Sequence, residues 1–178
     1  MGLDDCRRFC AINGHKPLPI YASKKTMRDL ERVYRYAFES PFIRGYFKPD
    51  PHIIDRPFQL GDLKITPFEQ EHGRMGSLGF LFEQGDTKRL AYYNDCKKIS
   101  PPASDAATGV QVVVLDALRP MEHPSHMTLD EALTAARRIG ANETLLSHLT
   151  DFYDHDRDSA DLPESVLFAY DGLKRSLA

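Results

Sequence analysis

The chain has 178 residues, of which 42% are hydrophobic, and carries a formal net charge of −3 with a pI near 6.2. This length supports one buried core, so we expect a single domain spanning residues 1–178. The charge does not indicate a broad basic face for nucleic-acid backbones. No apolar run approaches the ~20 residues that span a bilayer, and the amino-terminal residues MGLDDCRRF lack the apolar stretch of a signal peptide. A cytoplasmic protein acting on small molecules is expected, with large nucleic acids disfavoured and no membrane association.

The first third of the chain predicts two helices and a strand. Residues 2–10 favour a short helix, with acidic residues at its start. Residues 18–22 form a short apolar strand, and Ser23 caps a helix predicted over residues 24–38. Residues 40–50 contain prolines, a glycine and aromatics, which indicate a loop that packs on itself. Cys6 and Cys10 lie four residues apart on the first helix; buried thiols are favoured over a disulfide or ligand pair.

The rest of the chain predicts an α/β fold of the α+β type, with mixed β-sheets flanked by helices. Two hairpins come first, pairing residues 58–60 with 63–68 and residues 78–83 with 89–93. A continuous apolar strand follows at residues 110–115, and Thr128 with Glu131 forms a capping box for a helix that Gly140 ends. Residues 144–146 and 166–170 are the last strands.

Three strand-like segments each end in a side chain that can bind a metal: His72, Asp95 and His148. If these strands share a sheet, the three side chains converge at one edge. Imidazole nitrogen and carboxylate oxygen suit zinc, manganese or iron, and a carboxylate can bridge two ions. The alternative is that His72 and Asp95 are turn residues and His148 lies at the edge of the core.

His123 and His126 precede the capped helix, where backbone N–H groups favour an anion such as phosphate. A histidine in this position can exchange protons near neutral pH. The alternative is a pair of polar groups facing solvent.

In order, the segments resemble the metallo-β-lactamase-fold hydrolases, in the branch related to phosphoribosyl cyclic-phosphate phosphodiesterase, with tRNA 3′-processing nucleases as more distant relatives. The resemblance covers nearly the whole chain. The strings that carry it include GLDD after Met1, LPIYAS at 18–23, EHG at 71–73, LAYYND at 90–95, LDALR at 115–119, HPSH at 123–126, SHLT at 147–150, DH at 154–155 and AYDGL at 169–173.

The resemblance implies that His72 binds one metal ion, that His148 binds the other, and that Asp95 bridges them. Two divalent ions, zinc or manganese, would activate water and hold the phosphate oxygens. His126 would lie beside the scissile phosphate as the catalytic histidine. The remaining implied residues would lie near the site and orient ligands: Asp154, His155 and Asp171. The expected substrate is a small cyclic or diester phosphate.

The pattern departs from the family at two points. The signature H-x-H-x-D-H, which supplies four ligands, would stand before Gly2, and Asp151 occupies a position where relatives more often have histidine. We therefore expect an amino-terminally truncated version of the fold, about its carboxy-terminal two-thirds, with doubtful metal occupancy and activity in this chain alone. An uncovered sheet surface would favour a homo-oligomer or a complementary amino-terminal segment. The alternatives are a non-catalytic binding or scaffold module and, less favoured, a tRNA 3′-processing-type nuclease.

Overall fold

A computed structural model describes residues 2–39 and 46–177. By its internal contacts the chain divides into two compact units, Met1–Arg56 and Pro57–Ala178. The expectation of a single domain over residues 1–178 stays a prediction. Within the described ranges, no helix has the length and apolar composition needed to cross a bilayer.

The first unit contains a two-stranded parallel sheet and short helices. Ser23 begins a helix as predicted, because its hydroxyl accepts a hydrogen bond from the backbone N–H of Thr26 at 3.2 Å. Cys10 is buried, and the three cysteines of the chain are free thiols. The elements of this unit are a 3₁₀ turn (Gly2–Cys6), α1 (Arg7–Ile12), β1 (Leu18–Ala22), α2 (Lys24–Val33), α3 (Arg35–Phe38) and β2 (Pro49–Ile53).

Two predictions for this unit were wrong in part. The helix expected over residues 24–38 is interrupted at Tyr34, where φ of −109° and ψ of 37° leave the helical region and separate α2 from α3. The loop expected over residues 40–50 overlaps β2, which pairs in parallel with β1. Residues 40–45 of that predicted loop lie outside the described residues.

The second unit is built on one seven-stranded mixed sheet. Its strands lie in sequence order from β3 to β9; the pairs from β3 to β6 are antiparallel and the pairs from β6 to β9 are parallel. The predicted mixed α/β class is therefore confirmed. The elements are β3 (Phe58–Leu60), β4 (Leu63–Gln70), β5 (Ser77–Gln84), β6 (Thr87–Tyr93), α4 (Pro101–Ala106), β7 (Val112–Asp116), α5 (Leu129–Ile139), β8 (Glu143–Ser147), α6 (His155–Ser159) and β9 (Val166–Phe168).

Helices α4 and α5 pack on one face of this sheet and enclose its core. Val113, Leu115 and Leu146 from the central strands are fully buried in one cluster with alanines of both helices. The capping box at α5 forms as predicted: Thr128 Oγ1 accepts from the N–H of Glu131, and the Glu131 carboxylate accepts from the N–H of Thr128. Gly140 ends α5 in the left-handed conformation.

The strand directions bring several carboxyl ends to one edge of the sheet. Because β4 is antiparallel to β5 and β5 is antiparallel to β6, β4 runs parallel to β6 and to the parallel strands that follow it. The residues that follow β4, β6 and β8, and the last residue of β7, therefore lie at the same edge. This edge carries His72, Asp95, Asp116 and His148.

Gly79, in β5, leaves space for the side chains of Gln70 and Tyr93, which pack directly over it. A Cβ atom at this position would lie well inside contact distance of Gln70 Nε2 and 2.5 Å from Cδ1 of Tyr93. Tyr93 is held in place because its hydroxyl donates to the carbonyl of Ala103 at 2.8 Å. Gly79→Ala is therefore expected to lower the free energy of unfolding by about 1–3 kcal/mol, measured by urea denaturation.

The double variant Gln70→Ala with Gly79→Ala is the matched comparison, because it removes the more flexible of the two obstacles. The double variant should regain part of the free energy of unfolding that Gly79→Ala loses. A single Gly79→Ala variant as stable as the wild type would contradict this packing.

Candidate active site

His126 lies at the centre of a cluster of histidine rings. Its ring centroid is 4.8 Å from that of His72, 4.8 Å from that of His123 and 4.7 Å from that of His148. The Nε2 atoms of His126 and His72 are 3.3 Å apart. The other ring nitrogen of His126, Nδ1, lies 2.6 Å from Oδ2 of Asp116. The histidine predicted to be catalytic therefore has one nitrogen held by a carboxylate and the other facing the predicted metal ligands.

Asp116 holds His126 from inside the protein. Its side chain has no exposed surface, and its carboxylate accepts hydrogen bonds from the backbone N–H groups of Cys96 and Leu118, each at 3.1 Å, as well as from His126. Burial raises the pKa of Asp116, while the hydrogen bond and charge of His126 oppose that shift. The carboxylate accepts at Nδ1, so Nδ1 of His126 carries a proton and the orientation of the ring is fixed.

Asp95 and His148 face each other across the open side of the cluster. Oδ1 of Asp95 is 3.1 Å from Nε2 of His148, and the two side chains are 54% and 37% exposed. Both residues adopt left-handed backbone conformations, with φ of +52° for Asp95 and +63° for His148. Non-glycine residues seldom adopt this conformation, and here it occurs at both partners of the contact. The hydroxyl of Ser77 supports the bend by donating to the carbonyl of Asp95 at 2.7 Å.

The donor atoms in this cluster suit a divalent ion. One ligand atom from each of Asp95, Asp116, His126 and His148 lies within 4.8 Å of the others. Imidazole nitrogens with carboxylate oxygens are the donor set that zinc and manganese accept. Asp116 already accepts three hydrogen bonds, one of them from His126, so these two side chains are engaged with each other. Asp95 and His148 are therefore the residues of this group that can bind a metal ion, and His72 lies beside His126.

Lys97 contacts loops that carry residues of this cluster. Its ammonium group, on a side chain that is 15% exposed, lies 2.7 Å from a carboxylate oxygen of Glu122 and 2.8 Å from one of Glu131. Its backbone N–H donates to the carbonyl of Glu71, next to His72, at 2.7 Å. The loop after β6 is thereby joined to the loop after β4 and to the start of α5.

The structure brings together four of the seven predicted site residues: His72, Asp95, His126 and His148. The other three, Asp154, His155 and Asp171, lie later in the chain. Asp154 caps α6 by accepting from the N–H of Arg157, and Nε2 of His155 lies 3.4 Å from the carbonyl oxygen of Phe168. Asp171 lies in the turn that follows Tyr170. The orienting roles expected for these three residues stay predictions.

No role was predicted for Asp116 from the sequence. A signal was present, because Asp116 ends the apolar strand β7 in the same way that Asp95 and His148 follow β6 and β8. Its burial and its contact with His126 depend on tertiary packing, which the strand pattern does not reveal.

Comparisons with known proteins identify the family and the fold of the chain. Residues 1–149 match the family model described as a beta-lactamase superfamily domain. A crystal structure of a diphosphatase from the PhnP family is 30% identical, with a TM-score of 0.85; the match covers 97% of this chain and 64% of that one. Human tRNase Z, short form, is 15% identical with a TM-score of 0.67, covering 95% of this chain and 71% of its own, which indicates a shared fold.

An octanoyltransferase from Porphyromonas gingivalis is 29% identical over 182 residues, covering 97% of this chain and 34% of that protein. The chain thus spans about a third of the length of this relative and just under two-thirds of the diphosphatase. Since the family model matches most of the chain, the chain belongs to the beta-lactamase superfamily. This membership confirms the predicted resemblance to the metallo-β-lactamase fold and supports classing the chain with the hydrolases.

Proposed function

We propose that this chain carries part or all of a metal-dependent hydrolase site that cleaves small phosphodiesters, cyclic or linear. The observation that carries the proposal is the buried Asp116–His126 pair, placed directly beside His72 and His148. A histidine fixed by a carboxylate is suited to giving a proton to a leaving oxygen. The similarity to a PhnP-family diphosphatase supports phosphate chemistry.

In this proposal His72, Asp95 and His148 hold the divalent ions, zinc or manganese. When bound, such ions supply the charge that holds phosphate oxygens and activates water. Residues of the chain itself position and transfer the proton. Asp116 keeps a proton on Nδ1 of His126, so that Nε2 is the nitrogen that faces the reacting phosphate. When Nε2 also carries a proton, the ring gives that proton to the leaving oxygen and returns to the neutral form with Nδ1 still protonated.

The exposure of the site supports a small substrate that enters from the side of Asp95 and His148. These two side chains are partly open to solvent, whereas Asp116 closes the opposite side. Octanoyl transfer is not part of the proposal, because the chain covers only 34% of that relative. The thiol next to Asp95 in the sequence, that of Cys96, lies in the hydrophobic core, and burial raises its pKa. A cytoplasmic location stays a prediction. So do a homo-oligomer and a complementary amino-terminal segment.

Metal content provides the first test, because it does not depend on turnover. In the purified chain, His148→Ala should weaken zinc binding by at least about tenfold, since even groups that only orient a metal ligand are worth 10–100-fold. His52→Ala is the matched control: His52 is an exposed histidine in the first unit, stacked on Tyr21, and its loss should leave zinc binding unchanged. Binding is measured by competition with a chromogenic chelator.

Hydrolysis of bis(p-nitrophenyl) phosphate with added zinc or manganese then separates the alternatives. Turnover that His148→Ala abolishes supports the hydrolase. Metal binding without turnover would favour the non-catalytic module, and equal zinc binding by His148→Ala and the wild type would overturn the assignment of His148 as a ligand.

A further inference from the structure

In the proposed function, His123 is the one histidine of this cluster that neither binds a metal ion nor transfers a proton. Its Nδ1 atom lies 3.3 Å from the backbone nitrogen of Ser125, which donates to it, and 3.3 Å from the Ser125 hydroxyl oxygen. A backbone N–H can only donate. Nδ1 of His123 is therefore an acceptor and carries no proton.

This contact fixes the tautomer of His123. A neutral imidazole has one N–H, so with Nδ1 accepting, the proton must be on Nε2. Metal binding at Nε2 would require that proton to move to Nδ1, which would break the hydrogen bond from the N–H of Ser125, whereas donation of a hydrogen bond from Nε2 requires no change. Partial burial, followed by the nearby charges of His126 and Arg119, lowers the pKa of His123, which agrees with a neutral ring.

His123 is also held in position at the edge of the site. Its ring centroid is 4.8 Å from that of His126. Ser125 packs against Gly73, where a Cβ atom would lie 3.3 Å from Cβ of Ser125, so the loop that carries His123 lies against the residue that follows His72. Arg119 stabilises the same loop by donating to the carbonyl oxygens of Met121 and Glu122 at 3.3 and 2.7 Å.

We propose that His123 is a substrate-binding residue that donates its Nε2–H to an anionic phosphate oxygen beside His126. The proposal rests on the proposed phosphodiester hydrolysis and assigns a separate step within it. His126 exchanges a proton with the substrate, whereas His123 keeps its proton and holds the phosphate. A neutral donor of this kind does not need to titrate in order to act.

Nitrogen NMR of the zinc-loaded full chain tests the tautomer and the ligand together. Long-range ¹H–¹⁵N spectra at pH 7.5 should give His123 a protonated Nε2 and an unprotonated Nδ1, and addition of phenyl phosphate should shift Nε2. His123→Ala should weaken phenyl phosphate binding by about tenfold, in line with the loss of a hydrogen bond to a charged group. His123→Gln, whose amide nitrogen lies near the position of Nε2, should recover part of that affinity.

The kinetic test separates binding from chemistry. His123→Ala should raise KM for bis(p-nitrophenyl) phosphate by about tenfold and leave kcat within about twofold, because a contact made equally to substrate and transition state affects KM. A shift of Nε2 on zinc addition alone would make His123 a metal ligand and overturn the proposal. An unchanged phenyl phosphate affinity in His123→Ala would also overturn it. Phenyl phosphate binding through His123 with no diester turnover would instead count against the proposed hydrolase.

Discussion

Replacing His126 with alanine is expected to lower the hydrolysis of phosphodiesters by about 10²–10⁴-fold while leaving the zinc content unchanged. The reason is that the imidazole, fixed at Nδ1 by Asp116, is the proton donor closest to the predicted ligands His72 and His148. The loss should depend on the leaving group. p-Nitrophenolate departs readily without a proton, whereas the alkoxide released from a nucleoside 2′,3′-cyclic phosphate requires one.

The measurement is therefore kcat/KM of the wild type and of His126→Ala on bis(p-nitrophenyl) phosphate and on a nucleoside 2′,3′-cyclic phosphate. We expect the larger loss with the cyclic phosphate. Equal losses on both substrates would mean that His126 stabilises charge instead of giving a proton. Loss of zinc from His126→Ala would mean that His126 is a metal ligand. His52→Ala again serves as the control for histidine removal.

Asp116→Asn is expected to damage both the site and the fold. The carboxylate has no exposed surface; its Oδ1 accepts from the N–H of Leu118, and its Oδ2 accepts from the N–H of Cys96 and from Nδ1 of His126. An asparagine must turn its NH₂ group toward one of these two sets of donors. At least one donor then loses its partner, at a cost of about 1–3 kcal/mol in the free energy of unfolding. Activity should also fall, because a neutral amide holds the proton on Nδ1 of His126 less strongly than a carboxylate does.

Urea denaturation and the kinetics above measure the two effects of Asp116→Asn separately. The double variant Asp116→Asn with His126→Ala gives the coupling between the two residues. If Asp116 acts through His126, the double variant should be hardly less active than His126→Ala alone, because residues that work as a unit are strongly non-additive. Additive losses in activity would show that Asp116 contributes through another route, such as the loop that holds Cys96 and Leu118.

Strands with clear local patterns were predicted closely. β1 and β3 match their predicted bounds, and α5 begins and ends where its capping box and Gly140 indicate. These elements are defined by nearby residues. β2 was missed because two of its five residues are prolines, at 49 and 51, and its pairing with β1 comes from a distant part of the chain. The interruption at Tyr34 was missed because the apolar stripe continues across it.

The site was predicted to the extent that it depends on strand order. His72, Asp95 and His148 follow strands whose carboxyl ends share one edge, so the assumption that these strands lie in one sheet was sufficient to group them. The contact between Asp116 and His126, and the hydrogen bond from Ser125 to His123, depend on how loops fold over that edge. No periodicity in the sequence encodes those contacts.

Because Asp95 and His148 have left-handed backbones, substitutions that raise thermal stability at these positions would also remove the proposed metal ligands. Glycine at either position, or asparagine at position 148, would relax this conformation, which costs a non-glycine residue up to roughly 1–2 kcal/mol and costs aspartate less. A laboratory selection for heat resistance alone would therefore enrich replacements at these two positions and discard the proposed ligands. Consensus or library design on this scaffold needs to hold both residues fixed, and a variant that gains stability there should be suspected of having lost its metal.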